Sequence, residues 1–333
     1  MSLIRIIFAA VLLLVAPLAG AWTMHGHRAI ADLVWLKLSP AARDAAWRIL
    51  QTHPDFQRGL ADQVPENSAE WSLPRLIFRE SAAWPDTVRS YRDTDPAAWS
   101  RYHRGNWHWF NDLVWVSAEA EQALISRVEI DRAEDLPSMG EEPRNAVQAI
   151  KWTTAILGDP TVADEEQALA LAWLLHVGAD IHNPVHAVSL FGLPALGNEG
   201  DRGGNRICLD DLENWNLHSF WDLQIAGSRG EVDIDARGLL LARELTDEVA
   251  AMPIGDGSLW WRESVELARS VVYPQWLRLQ AAARIDSDRC DVTSGRIRLS
   301  AAYREEARVV AMAQGAKSAV RLAAVLEDVL VSR

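Results

Sequence analysis

Helical periodicity of the apolar residues is the feature that most limits the fold of this chain. Over 29–38, apolar side chains recur at i, i+3 and i+4, which places them on one face of a helix. The same spacing predicts helices over 39–50, 144–157, 164–181, 215–225, 236–251, 259–272 and 301–331. Because no alternating strand pattern of any length interrupts them, we predict an all-α fold.

Turn-forming residues mark where these helices begin and end. We expect Asp164 to cap the start of one long helix and Asn183-Pro184 to end it. The one non-helical stretch, 192–209, is rich in glycine and contains the run Asp201 to Asn205, so we interpret it as an ordered loop or small hairpin. Because we find no repeat, low-complexity linker or charge block, we predict a single domain.

The first 21 residues have the composition of a secretory signal peptide. Arg5 gives a positively charged start, 6–15 form a short apolar core, and Ala19-Gly20-Ala21 is an A-x-A cleavage pattern. We expect cleavage after Ala21, which leaves Trp22 as the first residue of a mature domain over 22–333 with no membrane anchor. The apolar core is shorter than the ~20 residues that a span needs, and we expect no later segment to be long and apolar enough to span a membrane. The sequence therefore predicts an exported protein, periplasmic or extracellular.

Charge and cysteine content bear on partners and on cross-linking. The formal net charge is -13, and loss of Arg5 with the leader takes it to -14, the wrong sign for holding long nucleic acid by neutralising its phosphates. A nuclease is not excluded, because a metal cluster can supply positive charge locally. The chain has two cysteines, Cys208 and Cys290, and in an oxidising compartment a disulfide between them is possible.

Two of the predicted helices carry the pattern His-x-x-x-Asp. His176 and Asp180 lie one turn apart, as do His218 and Asp222, so each pair leaves one face of its helix. Apolar residues flank both pairs, and a buried charge without a partner is costly. Either the pairs satisfy one another as a structural network or they bind a metal, and imidazole with carboxylate suits zinc. His186 lies just past the helix break, where it can face the same cavity.

Six short motifs follow one another between residues 22 and 222. They are 22–27 (WTMHGH), 84–89 (WPDTVR), 107–111 (WHWFN), 176–186 (HVGADIHNPVH), 201–205 (DRGGN) and 217–222 (LHSFWD). In this order they resemble the elements WGxxGH, WADxIR, HYxD or HFxD, HxxGDxHQPxH, DxGGN and LHxxWD of the S1/P1 nuclease and zinc phospholipase C superfamily. The resemblance implies one multi-helix domain of the phospholipase C/P1 nuclease type.

The same resemblance implies three zinc ions. The first would be held by Asp86, His108, His176 and Asp180, the second by His186, His218 and Asp222, and the third by the amino group and carbonyl of Trp22, His27 and the shared Asp180. It further implies that a metal-activated water attacks phosphorus. Asp86 would orient this water, and the planar guanidinium of Arg89 would stabilise charge on the phosphoryl oxygens.

Trp109 and Asn111, which follow His108 in the sequence, bear on which phosphoester the protein would cleave. By the resemblance, Trp109 would stack on a nucleobase and Asn111 would hydrogen-bond it, where the family usually has aspartate. We therefore expect a hydrolase acting on ester bonds, an endonuclease of single-stranded DNA and RNA with 3′-nucleotidase activity. The alternatives are a zinc-dependent phospholipase C and a non-catalytic zinc-stabilised helical binding protein. Nothing in the sequence implies a protein partner.

Overall fold

The computed structural model describes residues 22–65, 72–128, 134–138, 141–211, 215–227, 232–291 and 294–331. The helices of these ranges are α1 Met24–Lys37, α2 Pro40–Leu50, α3 Leu73–Arg89, α4 Tyr91–Thr94, α5 Pro96–Tyr102, α6 Ala118–Leu124, α7 Ala146–Gly158, α8 Asp164–Asp180, α9 Leu217–Ala226, α10 Ile234–Arg243, α11 Asp247–Ala251, α12 Gly257–Leu267, α13 Gln275–Arg284 and α14 Ala301–Val331. The all-α prediction is confirmed. The proposed signal peptide, 1–21, lies outside the described residues.

Two short strands accompany the helices. β1, Asp112–Trp115, pairs in parallel with β2, Val188–Phe191. Each strand has four residues, and β2 is buried throughout, so neither shows the polar–apolar alternation that a half-buried strand displays. The pairing holds the segment after His108 beside the segment after His186.

Several helix boundaries differ from the predicted ones. The helix predicted over 236–251 is divided into α10 and α11, because the Thr246 side chain accepts a hydrogen bond from the backbone of Val249 and starts a new helix. The α-helical part of 259–272 ends at Leu267 and continues as a π-helical turn, Ala268–Val272. Asp164 lies inside α8 rather than capping it.

The stretch 192–209 is an ordered loop with one 3-10 turn, Pro194–Leu196, rather than a hairpin.

The centre of the fold is α8. Nearly every residue of this helix from Gln167 to Asp180 is buried, and α1, α2, α3, α7 and α14 pack against it. Such a helix, apolar on all sides, is typical of a fully enclosed core position. The polar residues near its carboxyl end are therefore enclosed as well, and any charge there needs a partner inside the protein.

α14 corrects the expectation that no later segment is long and apolar enough to span a membrane. Within the described residues it passes that test by length and composition, but 67% of its most apolar window is buried in the fold. It packs against α1, α2, α9 and α10. In its middle, the fully buried Arg321 forms an ion pair with Glu263 at 2.8 Å. These contacts are those of a core helix.

The pairing of Cys208 with Cys290, which the sequence left open, is present in the structure. The bond joins the glycine-rich loop before α9 to the segment before α14, and 82 residues separate the two cysteines. Closing a loop of this length lowers the entropy of the unfolded chain, a stabilisation of about 4.5 kcal/mol in the chain-entropy model. The disulfide therefore fixes a loop that, as shown below, orients one histidine of the site.

Candidate metal centre

The centre of the candidate site lies on α8. His176 and Asp180 are both fully buried there. The Nδ1 atom of His176 lies 2.8 Å from the carbonyl oxygen of Ala82 on α3. Because a carbonyl oxygen only accepts hydrogen bonds, this contact places the ring proton on Nδ1. The lone pair of His176 Nε2 then faces Asp180, whose Oδ2 atom lies 3.3 Å away.

Three other segments of the chain bring side chains to this pair. His27 of α1 places Nε2 at 3.1 Å from Asp180 Oδ1, and its ring stacks on that of His176 with 3.8 Å between centroids. His108 places Nδ1 at 3.0 Å from Asp180 Oδ2. Asp86 of α3 places Oδ1 at 3.9 Å from His176 Nε2. The Asp180 carboxylate therefore contacts three imidazole rings that are far apart in the sequence.

A second group forms around Asp222 of α9. Its two carboxylate oxygens lie 3.8 Å from Nε2 of His186 and 3.5 Å from Nε2 of His218. The Nδ1 atoms of these two histidines lie 2.6 Å from the carbonyl of His108 and 2.8 Å from the carbonyl of Gly203, respectively. Both contacts place the ring proton on Nδ1, so both Nε2 lone pairs face the carboxylate.

Backbone contacts fix the distance between the two groups. The Phe110 amide donates to the carbonyl of His186 at 3.0 Å, at the entrance to the β1–β2 pair. Gly203 has a φ of +64°, and a Cβ atom there would lie 2.3 Å from the carbonyl oxygen of Val185. Only glycine lets the loop approach this closely, and the approach brings its carbonyl to the ring of His218.

Several buried polar atoms of the cluster lack a hydrogen-bond partner among the described residues. They are both ring nitrogens of His27, Oδ1 of Asp86, Nε2 of His108, Oδ1 of Asp180 and Nε2 of His186. A buried polar atom left unpaired costs about 1–3 kcal/mol. The side chains that could hold a metal form three groups, and within each group the candidate ligand atoms lie within 4.8 Å of one another. The groups are His27, Asp86 and His176; His108, His176 and Asp180; and His186, His218 and Asp222. Nitrogen and oxygen donors at such spacing fit zinc, which would satisfy these atoms.

The pKa values of four residues of the cluster, His108, His218, Asp180 and Asp222, agree with a cation site. Burial lowers the pKa of His108 to about 3 and that of His218 to about 3, so both rings are neutral, as metal ligation requires. Burial opposes ionisation of Asp180, but the surrounding histidines outweigh it and hold its pKa well below the usual value. Burial raises the pKa of Asp222 to about 7. Full ionisation of Asp222 at neutral pH therefore needs additional positive charge, which a metal ion supplies.

Trp22 anchors the start of the described chain to both helices that carry a His-x-x-x-Asp pair. Its fully buried indole donates to the carbonyl of Ala179 on α8 at 3.0 Å. The next amide, that of Thr23, donates to the carbonyl of Asp222 on α9 at 3.2 Å. Gly26 allows this packing, because a Cβ atom there would lie 3.1 Å from the Cβ atom of Trp22.

A cavity of about 730 Å³ opens beside the cluster. Its lining includes His108, His186 and His218 together with three residues singled out in the sequence, Arg89, Trp109 and Asn111. Trp109 is 42% exposed, so it is not a core tryptophan. Sequence reasoning missed other lining residues, among them Arg144, Asn145, Asn198 and Glu199. Of these, Arg144 and Asn145 come from a loop before α7 that carries no motif, and only tertiary folding brings them here.

His182, two residues after Asp180, does not belong to the cluster. Its Nδ1 atom lies 2.7 Å from the carbonyl of Gly178, and Arg321 Nη1 lies 3.1 Å from its Nε2 atom. Since the guanidinium can only donate, Nε2 is the acceptor and Nδ1 carries the proton. The ring therefore joins the end of α8 to α14, which is a structural contact.

Comparison with known families gives a match along nearly the whole described chain. A model of the S1/P1 nuclease family matches residues 22–331. The chain belongs to the S1/P1 nuclease family. No curated protein sequence matches it. Membership makes the protein a metal-dependent hydrolase of phosphodiester bonds in nucleic acids, and the His/Asp groups are the residues that could hold the metal.

Replacement of Asp180 by asparagine is expected to lower metal content. The change removes the charge that both carboxylate oxygens present to His27, His108 and His176 while keeping the side chain's shape. Elemental analysis after dialysis should find at least one metal ion fewer per chain. Asp44→Asn, at an exposed position on α2, is the control and should bind as the unaltered chain does. A folded Asp180→Asn protein, with unchanged helical circular dichroism and full metal content, would contradict the assignment.

Proposed function

We propose that this member of the family is a zinc-dependent endonuclease of single-stranded DNA and RNA that also has 3′-nucleotidase activity. The observation that carries the proposal is the position of Trp109. It directly follows His108 of the cluster, and its exposed indole lines the cavity together with His186 and His218. An exposed ring beside the reacting centre suits an unpaired base, because bases within a duplex have their faces covered.

In this proposal nine residues hold three zinc ions. The sets are Asp86, His108, His176 and Asp180 for the first, His186, His218 and Asp222 for the second, and Trp22, His27 and Asp180 for the third. When bound, zinc polarises a phosphoryl oxygen and lowers the pKa of water. The compact groups of imidazole and carboxylate atoms support the first two sets. The contact of His27 with Asp180, and of Trp22 with the neighbouring Ala179, supports the third.

Asp86 and Arg89 are the proposed catalytic side chains. They lie on one turn of α3, with 3.4 Å between Asp86 Oδ1 and Arg89 Nη1. Asp86 Oδ1 is buried beside the cluster, where it can accept a hydrogen bond from the attacking water and orient it. Arg89 lines the cavity, and its charge lowers the pKa of both His108 and His218 after the larger effect of burial. Its guanidinium is therefore positioned to contact phosphoryl oxygens between the two metal groups.

Asn111 is the proposed base-contacting residue. It lines the cavity two positions after Trp109, where the family usually has an aspartate. An amide both donates and accepts hydrogen bonds, whereas an ionised carboxylate only accepts. We therefore propose that the base preference that a carboxylate imposes is relaxed in this protein.

The cationic and amide groups in the lining of the cavity favour nucleic acid over lipid. Arg89, Arg144 and Arg202 contribute guanidinium groups to it, and Asn111 and Asn205 contribute amides. An acyl chain requires an apolar entrance, whereas a sugar–phosphate chain is recognised by such cationic and amide groups. This observation favours the nuclease over the zinc-dependent phospholipase C.

The proposal also includes export of the protein from the cytoplasm. We propose that residues 1–21 are removed as a signal peptide, so that the mature domain, 22–333, begins at Trp22 in the periplasm or outside the cell. The start of the family match at Trp22 supports this. The disulfide between Cys208 and Cys290 is compatible with an oxidising compartment.

Substrate trials with the purified zinc-loaded protein test the activity. It should hydrolyse single-stranded DNA, RNA and 3′-AMP but not phosphatidylcholine. Trp109→Ala should raise KM for 3′-AMP about tenfold, the low-to-middle range for loss of base stacking, with little change in kcat. Trp215→Ala is the matched control, because Trp215 is 41% exposed and lies outside the cavity lining. Hydrolysis of the lipid alone would contradict the proposed function, and an unaltered KM would contradict the role of Trp109.

The third zinc set predicts that activity depends on a free amino group at Trp22. Two added residues before Trp22 turn this amine into an amide that cannot bind zinc. The extended protein should bind one zinc ion fewer per chain and lose most of its activity, as measured by elemental analysis and by turnover of 3′-AMP. An equivalent extension after Arg333 is the control. Equal zinc content and equal turnover in all three proteins would show that Trp22 is not a ligand.

A further inference from the structure

A pair of stacked rings lies outside every motif of the sequence. Trp99 of α5 and His103, which follows that helix, stack with 5.0 Å between centroids and 19° between planes. Both side chains are half-buried, so part of the pair faces solvent. The guanidinium of Arg92 lies 6.0 Å from the centroid of the Trp99 ring. We refer to Arg92, Trp99 and His103 together as the Trp99 platform.

The Trp99 platform adjoins the cavity of the metal centre. Gly105 lines that cavity, and a Cβ atom on Gly105 would lie 3.0 Å from Cε1 of His103. The imidazole of His103 is therefore in direct contact with the cavity wall.

Three arginines act on the platform, although the protein is acidic overall. The chain carries a net charge of -13, yet the pKa of His103 is lowered, first by burial and then by Arg89, Arg104 and Arg92. Asp86 acts in the opposite direction but is outweighed. Such a local field attracts phosphate even where the overall charge repels it.

Of these three arginines, Arg92 is the one for which no ion pair is found in the described part of the chain. Arg104 pairs with Glu142 at 3.0 Å, and Arg89 pairs with Asp86 at 3.4 Å. Arg92 is exposed, and within the described part of the chain the contact found for its guanidinium is with the ring of Trp99. A cation held only by an aromatic face keeps its N–H donors available to an anion.

We propose that the Trp99 platform is a second nucleotide subsite of this nuclease. It takes the base of a neighbouring nucleotide on the Trp99–His103 pair, and Arg92 contacts the phosphate of that nucleotide. The occupant is the same single strand whose scissile phosphate lies at the metal centre, so the inference rests on the proposed function. Stacking without base-edge contacts is tolerant of sequence, which suits an enzyme that acts along a strand. A 3′-mononucleotide fills the cavity alone and does not reach the platform.

The test compares a long substrate with a short one in the zinc-loaded protein. Trp99→Leu should lower kcat/KM for a single-stranded 12-nucleotide DNA about tenfold, and Arg92→Ala about threefold, while turnover of 3′-AMP stays within twofold. Trp99→Phe should recover most of the loss, because phenylalanine also stacks. The matched controls are Trp276→Leu on α13, 36% exposed, and Arg48→Ala on α2, also exposed; neither should affect either substrate.

Salt dependence separates a phosphate contact from a structural role. Removal of one contact to a single strand should flatten the slope of log affinity against log salt by about 0.7. Fluorescence anisotropy of a labelled phosphorothioate oligonucleotide measures this slope for Arg92→Ala and the unaltered protein. Unchanged slope and affinity would overturn the subsite, as would equal losses on DNA and 3′-AMP with a lowered melting temperature. Because binding is measured apart from cleavage, a protein that binds DNA through the platform but cleaves no nucleic acid would contradict the proposed function alone.

Discussion

The structure depends on one buried carboxylate, that of Asp180, which lies fully enclosed between three imidazole rings. An ion in such a position is costly unless opposite charge and hydrogen bonds surround it. Three parts of the chain supply these groups: α1 with His27, the segment before β1 with His108, and α8 itself with His176. The fold can thus be understood as an enclosure that holds a charged centre, and the remaining unpaired atoms of that centre could bond a metal ion.

The orientation of the rings comes from the backbone rather than from other side chains. Three histidines, His176, His186 and His218, direct Nδ1 to main-chain carbonyls, so their Nε2 atoms face the carboxylates. The fold itself sets the positions of these carbonyls. That of Ala82 lies on a helix, that of His108 at the entrance to the two-stranded sheet, and that of Gly203 on the glycine-rich loop. Contacts of this kind fix the tautomer and direction of metal-binding histidines before an ion binds. The disulfide near the glycine loop restrains one of these carbonyls.

Local sequence patterns predicted the parts of the site that lie within one helix or one motif. The pairs His176/Asp180 and His218/Asp222 followed from helical spacing. The order of six motifs indicated the S1/P1 nuclease family, to which the family match over 22–331 assigns the chain. The two strands escaped prediction because four-residue strands are too short to show alternation. Arg144, which lines the cavity, and the Trp99–His103 pair, which lies beside the lining residue Gly105, escaped it because their positions depend on tertiary packing, which no local spacing records. The assignment of roles to the clustered residues remains a proposal.

The most direct measurement is anomalous diffraction at the zinc absorption edge from crystals of the chain that begins at Trp22. We expect three zinc peaks: one bonded by Asp86, His108, His176 and Asp180, one by His186, His218 and Asp222, and one by the Trp22 amine, His27 and Asp180. Each histidine that donates through Nδ1 to a carbonyl should bind through Nε2. Protein that is folded and zinc-saturated but shows no anomalous peak among these residues would contradict the metal centre, and with it the proposed chemistry.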